Sequence, residues 1–223
     1  MIDAEKVTRE YSRLNKPPRG IKTFAEAQEY SDKAGRTLAK ALGNGFEDMD
    51  EDEIASLLKA VLKRPFRDSA AATALAQKAQ IDAAGLGINA LTAEYDEAKA
   101  LALAQELFGR EVSMEFVENL LSRETLRAFD ETIRINAEAN GDMGLQTHIT
   151  RTYGDVGLRA GTPYAEDCQW CLSRCGEWFS YLEAYNAGVF ERHPGCACEI
   201  EYKVGKTHTR STRGGNNWNF TDV

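Results

Sequence analysis

The chain has 223 residues, 43% of them hydrophobic and 28% charged, and 27 Lys/Arg against 35 Asp/Glu give a net charge of −8. It is long enough to bury about 70% of its unfolded surface without covalent staples, and its acidity argues against the basic face with which a dedicated nucleic-acid binder displaces counterions. No window approaches the roughly 20 apolar residues of a membrane span, and the charged start Met1-Ile2-Asp3-Ala4-Glu5-Lys6 lacks the apolar core of a secretory leader, so an intracellular origin is expected.

The first helix signal is Thr23, which can cap a segment from Phe24 to Leu42 that ends at Gly43. The acidic run Asp48-Met49-Asp50-Glu51-Asp52-Glu53 fits the first turn of a second helix, where it complements the positive end of the macrodipole. It lacks the glycine and spaced ligands of a calcium loop. Ile54, Leu57, Leu58, Val61 and Leu62 then recur at helical spacing on one apolar face. Pro65 is expected to stop or kink this helix. Ala70 to Ala84 makes a separate small-residue helix ended by Gly85-Leu86-Gly87. Further helices are predicted over Tyr95–Phe108, Met114–Leu121 and Glu124–Ala139, with Ser113 and Ser122 as N-caps of the last two.

A composition break follows. All five cysteines, all three histidines and all three tryptophans lie from residue 148 onward, while most of the excess acid lies before it. The turn cluster Asn140-Gly141-Asp142-Met143-Gly144 marks the boundary. The fold class expected is α+β: a helical region over 1–143, a small β-containing Cys/His module over 144–204, and a flexible Gly-rich arm over 205–223. In the module, His148–Tyr153 is rich in β-branched residues and can turn at Gly154-Asp155 into Val156–Arg159. Cys198 to Val204 alternates as a strand. In the arm, Trp218 and Phe220 suggest a partner-binding anchor.

The informative residues are Cys168-Gln169-Trp170-Cys171, then Cys175, then His193-Pro194-Gly195-Cys196-Ala197-Cys198. A Cys-x2-Cys turn brings two thiolates within reach of one tetrahedral ion. Cys196 and Cys198, two apart on extended backbone, project to one face. Cys168, Cys171, His193, Cys196 and Cys198 are therefore five candidate ligands for a site that needs four. A structural zinc closing the loop from 172 to 192 is the leading expectation. Free buried thiols and disulfides stand as alternatives. Cys175 is left outside the site, and His148 and His208 are expected to be ordinary surface or turn residues. Catalytic readings fit less well. The His-x-Glu of a zinc deaminase is missing, a thioredoxin-like pair would not be crowded by three further cysteines and a histidine, and no third group orients a Cys–His nucleophile.

Cys168-x2-Cys171-x4-Gly176, a spacer, then His193-Pro194-x-Cys196-x-Cys198 resembles the C-terminal signature of the phage head-morphogenesis, or minor head protein, family of tailed bacteriophages. The resemblance covers roughly residues 125–204, and its specific part is the Cys/His spacing. Cys175 departs from it, standing where a small apolar residue is expected. The resemblance implies a non-enzymatic virion component made in the host cytoplasm, acting in head assembly beside the portal or the inside of the shell. Capsid and portal proteins are the partners it implies, with room for a homo-oligomer in the virion. It carries Cys168, Cys171, His193, Cys196 and Cys198 over as the structural core of the module. The competing expectations are a thiol oxidoreductase or zinc hydrolase using the same cluster, and a zinc-ribbon-like adaptor.

Overall fold

A computed structural model describes residues 2–43, 46, 49–108, 113–153, 168–178, 180–193, 196 and 198–205. The Val156–Arg159 return strand, Glu47 and Asp48 of the acidic run, His208, and the arm with Trp218 and Phe220 lie outside them. The architecture is α+β, five helices followed by a small sheet.

Helix α1 (Ala4–Leu14) starts at Asp3, whose carboxylate accepts from the Glu5 and Lys6 amides at 2.9 and 3.2 Å, and buries Val7 and Tyr11. Helix α2 (Phe24–Leu42) opens on a reciprocal capping box between Thr23 and Glu26, which satisfies two amides left orphaned by the first turn. Helix α3 (Glu51–Ala83) has the same device in Asp50 and Glu53, so the acidic run is a helix start. It also corrects the expectation at Pro65: one helix of 33 residues runs through it and absorbs the separate small-residue helix. The missing amide hydrogen bond costs about 3 kcal/mol in isolation. Here apolar residues on both sides of it, from Ile54 to Ile81, are buried, so packing holds the two halves in line.

Helix α4 (Lys99–Leu107) begins later than expected. Asn136 brackets Leu91, accepting from its amide and donating to its carbonyl, both at 2.9 Å, and Thr132 accepts from the Ala93 amide at 3.3 Å. Residues 91–93 are thus held extended before the helix starts. Helix α5 (Met114–Asp142) merges the two helices predicted over Met114–Ala139. Ser113 caps it as expected, but Ser122 lies buried mid-helix and donates to Asp32 on α2. Gly144 (φ 74°) closes α5, with the Leu145 amide reaching back to the Asn140 carbonyl at 3.0 Å. That is the glycine-dependent Schellman stop.

At the α2–α5 crossing a Cβ on Gly35 would lie 2.4 Å from Ser122 Cα and 2.6 Å from the Leu121 carbonyl oxygen. Backbone cannot yield as a side-chain tip can. Gly35→Ala is expected to cost about 1–3 kcal/mol or more by overpacking, read as a lower denaturant midpoint. Unchanged stability would show that the helices part without loss.

Strand β1 (Gln146–Thr152) is central in an antiparallel sheet of order β2-β1-β3, with β2 at Gly176–Trp178 and β3 at Glu199–Gly205. Two short helices, α6 (Gln169–Leu172) and α7 (Tyr181–Asn186), lie between β1 and β3 in the chain. Ile149 faces Tyr202, and Arg151 faces Ile200. The alternation puts Thr147, Ile149 and Arg151 of β1 and Ile200, Tyr202 and Val204 of β3 on the buried side. Ile149, Ile200, Tyr202 and Val204 pack with Phe24, Ala72, Ala76, Phe129, Ile133 and Ala137 from the helices, and Asn140 donates to the Tyr202 hydroxyl at 2.7 Å. The expected boundary at 143/144 therefore coincides with the end of α5, but the apolar core crosses it. Among the described residues no helix is long and apolar enough to cross a membrane.

Candidate metal centre

Three segments bring the candidate ligands together. Cys168 caps α6 and Cys171 lies three residues on, so the single turn presents both thiols on one side. The Leu172 amide bonds the Cys168 carbonyl at 2.9 Å and fixes that turn. His193 follows α7, whose stop is set by Gly188 (φ 67°) and by the Val189 amide on the Ala184 carbonyl at 3.0 Å. Cys196 bonds its amide to the His193 carbonyl at 3.1 Å. Cys198 is in phase with buried Ile200, Tyr202 and Val204, extending the inner face of β3 past its first residue.

His193 Nε2 lies 3.3 Å from Cys168 Sγ and 2.9 Å from Cys171 Sγ, and Cys171 Sγ lies 3.7 Å from Cys196 Sγ. The ligand atoms form two triads that share Cys171: Cys168/Cys171/His193 and Cys171/Cys196/Cys198. Cys171, Cys196 and Cys198 are buried, and all five cysteines are free. Cys175 packs against the cluster without joining either triad. His148 stands apart on β1, 3.8 Å from Glu177 of β2.

This arrangement could hold a metal ion. Thiols and an imidazole with no carboxylate among them are soft donors, the set that suits thiophilic cations. Bond lengths of about 2.3 Å to sulfur and 2.0–2.1 Å to nitrogen imply a tetrahedron whose edges are about 3.5–3.8 Å. The printed contacts, 2.9 to 3.7 Å, differ from those edges by less than an ångström.

Two buried arginines frame the cluster, and sequence reasoning passed over both. Arg192 precedes His193 and is paired through its guanidinium with Asp130 of α5, the two side chains being 2% and 1% exposed. It also donates to the Cys198 carbonyl at 2.8 Å and to Gln28 of α2 at 3.3 Å, which ties the ligand loop to two helices. Arg151 donates from Nη2 to Cys196 Sγ at 3.3 Å and from Nη1 to the carbonyls of Glu191, at 2.7 Å, and Val189. Trp170 packs edge-to-face with His193 with 5.1 Å between ring centroids, and the Arg174 guanidinium lies over the Trp170 ring at 3.9 Å from its centroid. A signal for Arg151 was present: it falls at a buried position in the alternation Thr147, Ile149, Arg151.

Hydrogen bonds from the Cys171 and Cys198 thiols draw the Cys196 thiol far below its ordinary range, with Arg192 and Arg151 assisting against burial. Cys171 and Cys198 are pushed up, first by hydrogen bonding to Cys196 and then by burial. Thiols that bind a cation give up their protons in doing so. Burial lifts the Asp130 carboxyl against the opposing pull of Arg192.

Cys196 is 5% exposed. A shallow depression nearby, lined by Glu177, Trp178, Glu183, Asn186 and Ala187, contains none of the sulfurs. Comparison of the chain with protein-family models, with curated proteins and with solved structures gives no match.

Proposed function

We propose that this chain is a structural, non-enzymatic protein clipped by zinc, and that it serves as a minor component in the assembly of a tailed-phage head. The observation that supports the structural part is the convergence of Cys168, Cys171, His193, Cys196 and Cys198 on Cys171, with Cys171, Cys196 and Cys198 buried and Cys168 and His193 half-buried. Zinc is the cation that this set of thiols and imidazole suits best. The ion would be held by four of the five, joining the α6 turn to the loop before β3. Bound there it supplies a crosslink, and the chain's own residues do the rest: Arg192 anchors the ligand loop to α5 through Asp130, and Trp170 fixes the His193 ring.

The virion assignment is supported by the resemblance of the Cys/His spacing to head-morphogenesis proteins. Its partners are capsid or portal proteins, engaged by protein–protein contacts, with Trp218 and Phe220 as anchors in the arm. The acidic charge fits a protein that shares a compartment with packaged DNA without binding it.

Elemental analysis combined with thiol counting tests the clip. About one zinc per chain with protected thiols is expected, and a metal-free chain with two disulfides refutes it. Mass spectrometry of purified heads from the phage that encodes the chain tests the assignment. Heads that assemble and package normally without this chain would end it.

A further inference from the structure

Arg151 is 1% exposed, and among the described residues no carboxylate is hydrogen-bonded to it, Asp130 acting on it through space alone. A buried cation without a countercharge costs several kcal/mol, and of the groups that Arg151 bonds, two carbonyls and a sulfur, the Cys196 sulfur is the one that can carry that charge. It touches all three ligand-bearing segments: Trp170 of the α6 turn, with the guanidinium carbon 5.6 Å from the ring, the Val189 and Glu191 carbonyls ahead of His193, and the sulfur of Cys196. The other buried arginine, Arg192, is already neutralised by Asp130. A divalent ion bound by three or four thiolates keeps a net negative charge, which Arg151 is placed to balance.

We propose that Arg151 is the positioning residue and fixed counter-cation of the metal–thiolate centre, holding the Cys196 sulfur as a ligand through an N–H···S bond. The role presupposes the metal reading of the site and adds to it the residue that orients the ligands. Partners of this kind around a metal commonly change its affinity by about 10- to 100-fold.

The test uses the full chain as wild type, Arg151→Gln and Arg151→Lys, loaded with zinc and with cobalt(II). Competition against a chromophoric chelator is expected to show zinc binding weakened about 10- to 100-fold in Arg151→Gln, with Arg151→Lys between the two. Cobalt adds a signature that a loosened fold alone would not give. Without the N–H···S bond the sulfur lone pair rises in energy, and the thiolate-to-cobalt absorption moves to longer wavelength. Should Arg151→Gln fail to fold by circular dichroism, Arg151→Lys decides, since it keeps the charge but cannot reach every partner. Native affinity and an unmoved band in the folded variants overturn the role of Arg151. A wild-type chain that takes up neither ion overturns the metal reading itself, a distinguishable failure.

Discussion

The Cys171→Ser chain is expected to bind no metal, while Cys175→Ser keeps its full complement. Cys171 is the member common to both triads, and its sulfur lies within 3.7 Å of His193 Nε2 and Cys196 Sγ alike. Losing any other candidate leaves at least one triad whole; losing this one breaks both. Cys175 belongs to neither, so it is the matched control for thiol content. The structural consequence is local. The cluster formed by Val7, Leu38, Leu58, Leu103, Leu120 and their neighbours contains no residue after Leu121, so helical circular dichroism survives. Hydrogen-exchange protection is expected to fall instead over residues 168–205, where a metal crosslink would contribute folding energy. Metal analysis and exchange mass spectrometry read the two effects. A Cys171→Ser protein that retains the wild-type ion would place the centre elsewhere.

Asp130→Ala carries the next largest effect, a loss of about 3–5 kcal/mol in unfolding free energy. Removing the carboxylate leaves the Arg192 guanidinium, 2% exposed, without its countercharge. It also frees one end of the strut that runs from α5 to the Cys198 carbonyl. Replacing both partners, as Asp130→Leu with Arg192→Met, should restore much of that loss, because most of the penalty belongs to the orphaned charge rather than to the broken pair. Denaturant titration of the three variants measures it. A loss below about 1 kcal/mol for Asp130→Ala would mean that Arg192 finds water instead.

Much of this molecule was legible in its sequence, for reasons that are local. The Thr23/Glu26 and Asp50/Glu53 boxes are short-range devices, and both helices start at them. The period-two pattern from Cys198 to Val204 depends on one strand having one buried side. Errors arose where a distant partner decided. Pro65 is a breaker by local rules and is overridden by packing along the rest of α3. Ser122 looks like a cap but is the residue against which Gly35 lets α2 approach. Strand β2, three residues long, has no periodicity to find and exists because β1 offers it an edge. At the site, the thiols and imidazole were visible by spacing. Arg192 was not, since nothing in a linear string tells a solvated arginine from one enclosed by carbonyls and a carboxylate, and Arg151 was marked by its place in the strand alternation alone.

The pairing of β1 with β3 also sets an order of events during synthesis. Thr152 of β1 finds its partner in Glu199, and every cysteine of the chain lies in the stretch between them. Contacts so far apart form slowly, and the ribosome delivers the N-terminal part first. The five helices will have condensed while the central strand still waits for its neighbour, and Arg151 will spend that interval hydrated. Closing the sheet, gathering the sulfurs and stripping water from that arginine are therefore a single late step, and an ion that the sulfurs could hold would find them together only once the last strand has left the exit tunnel.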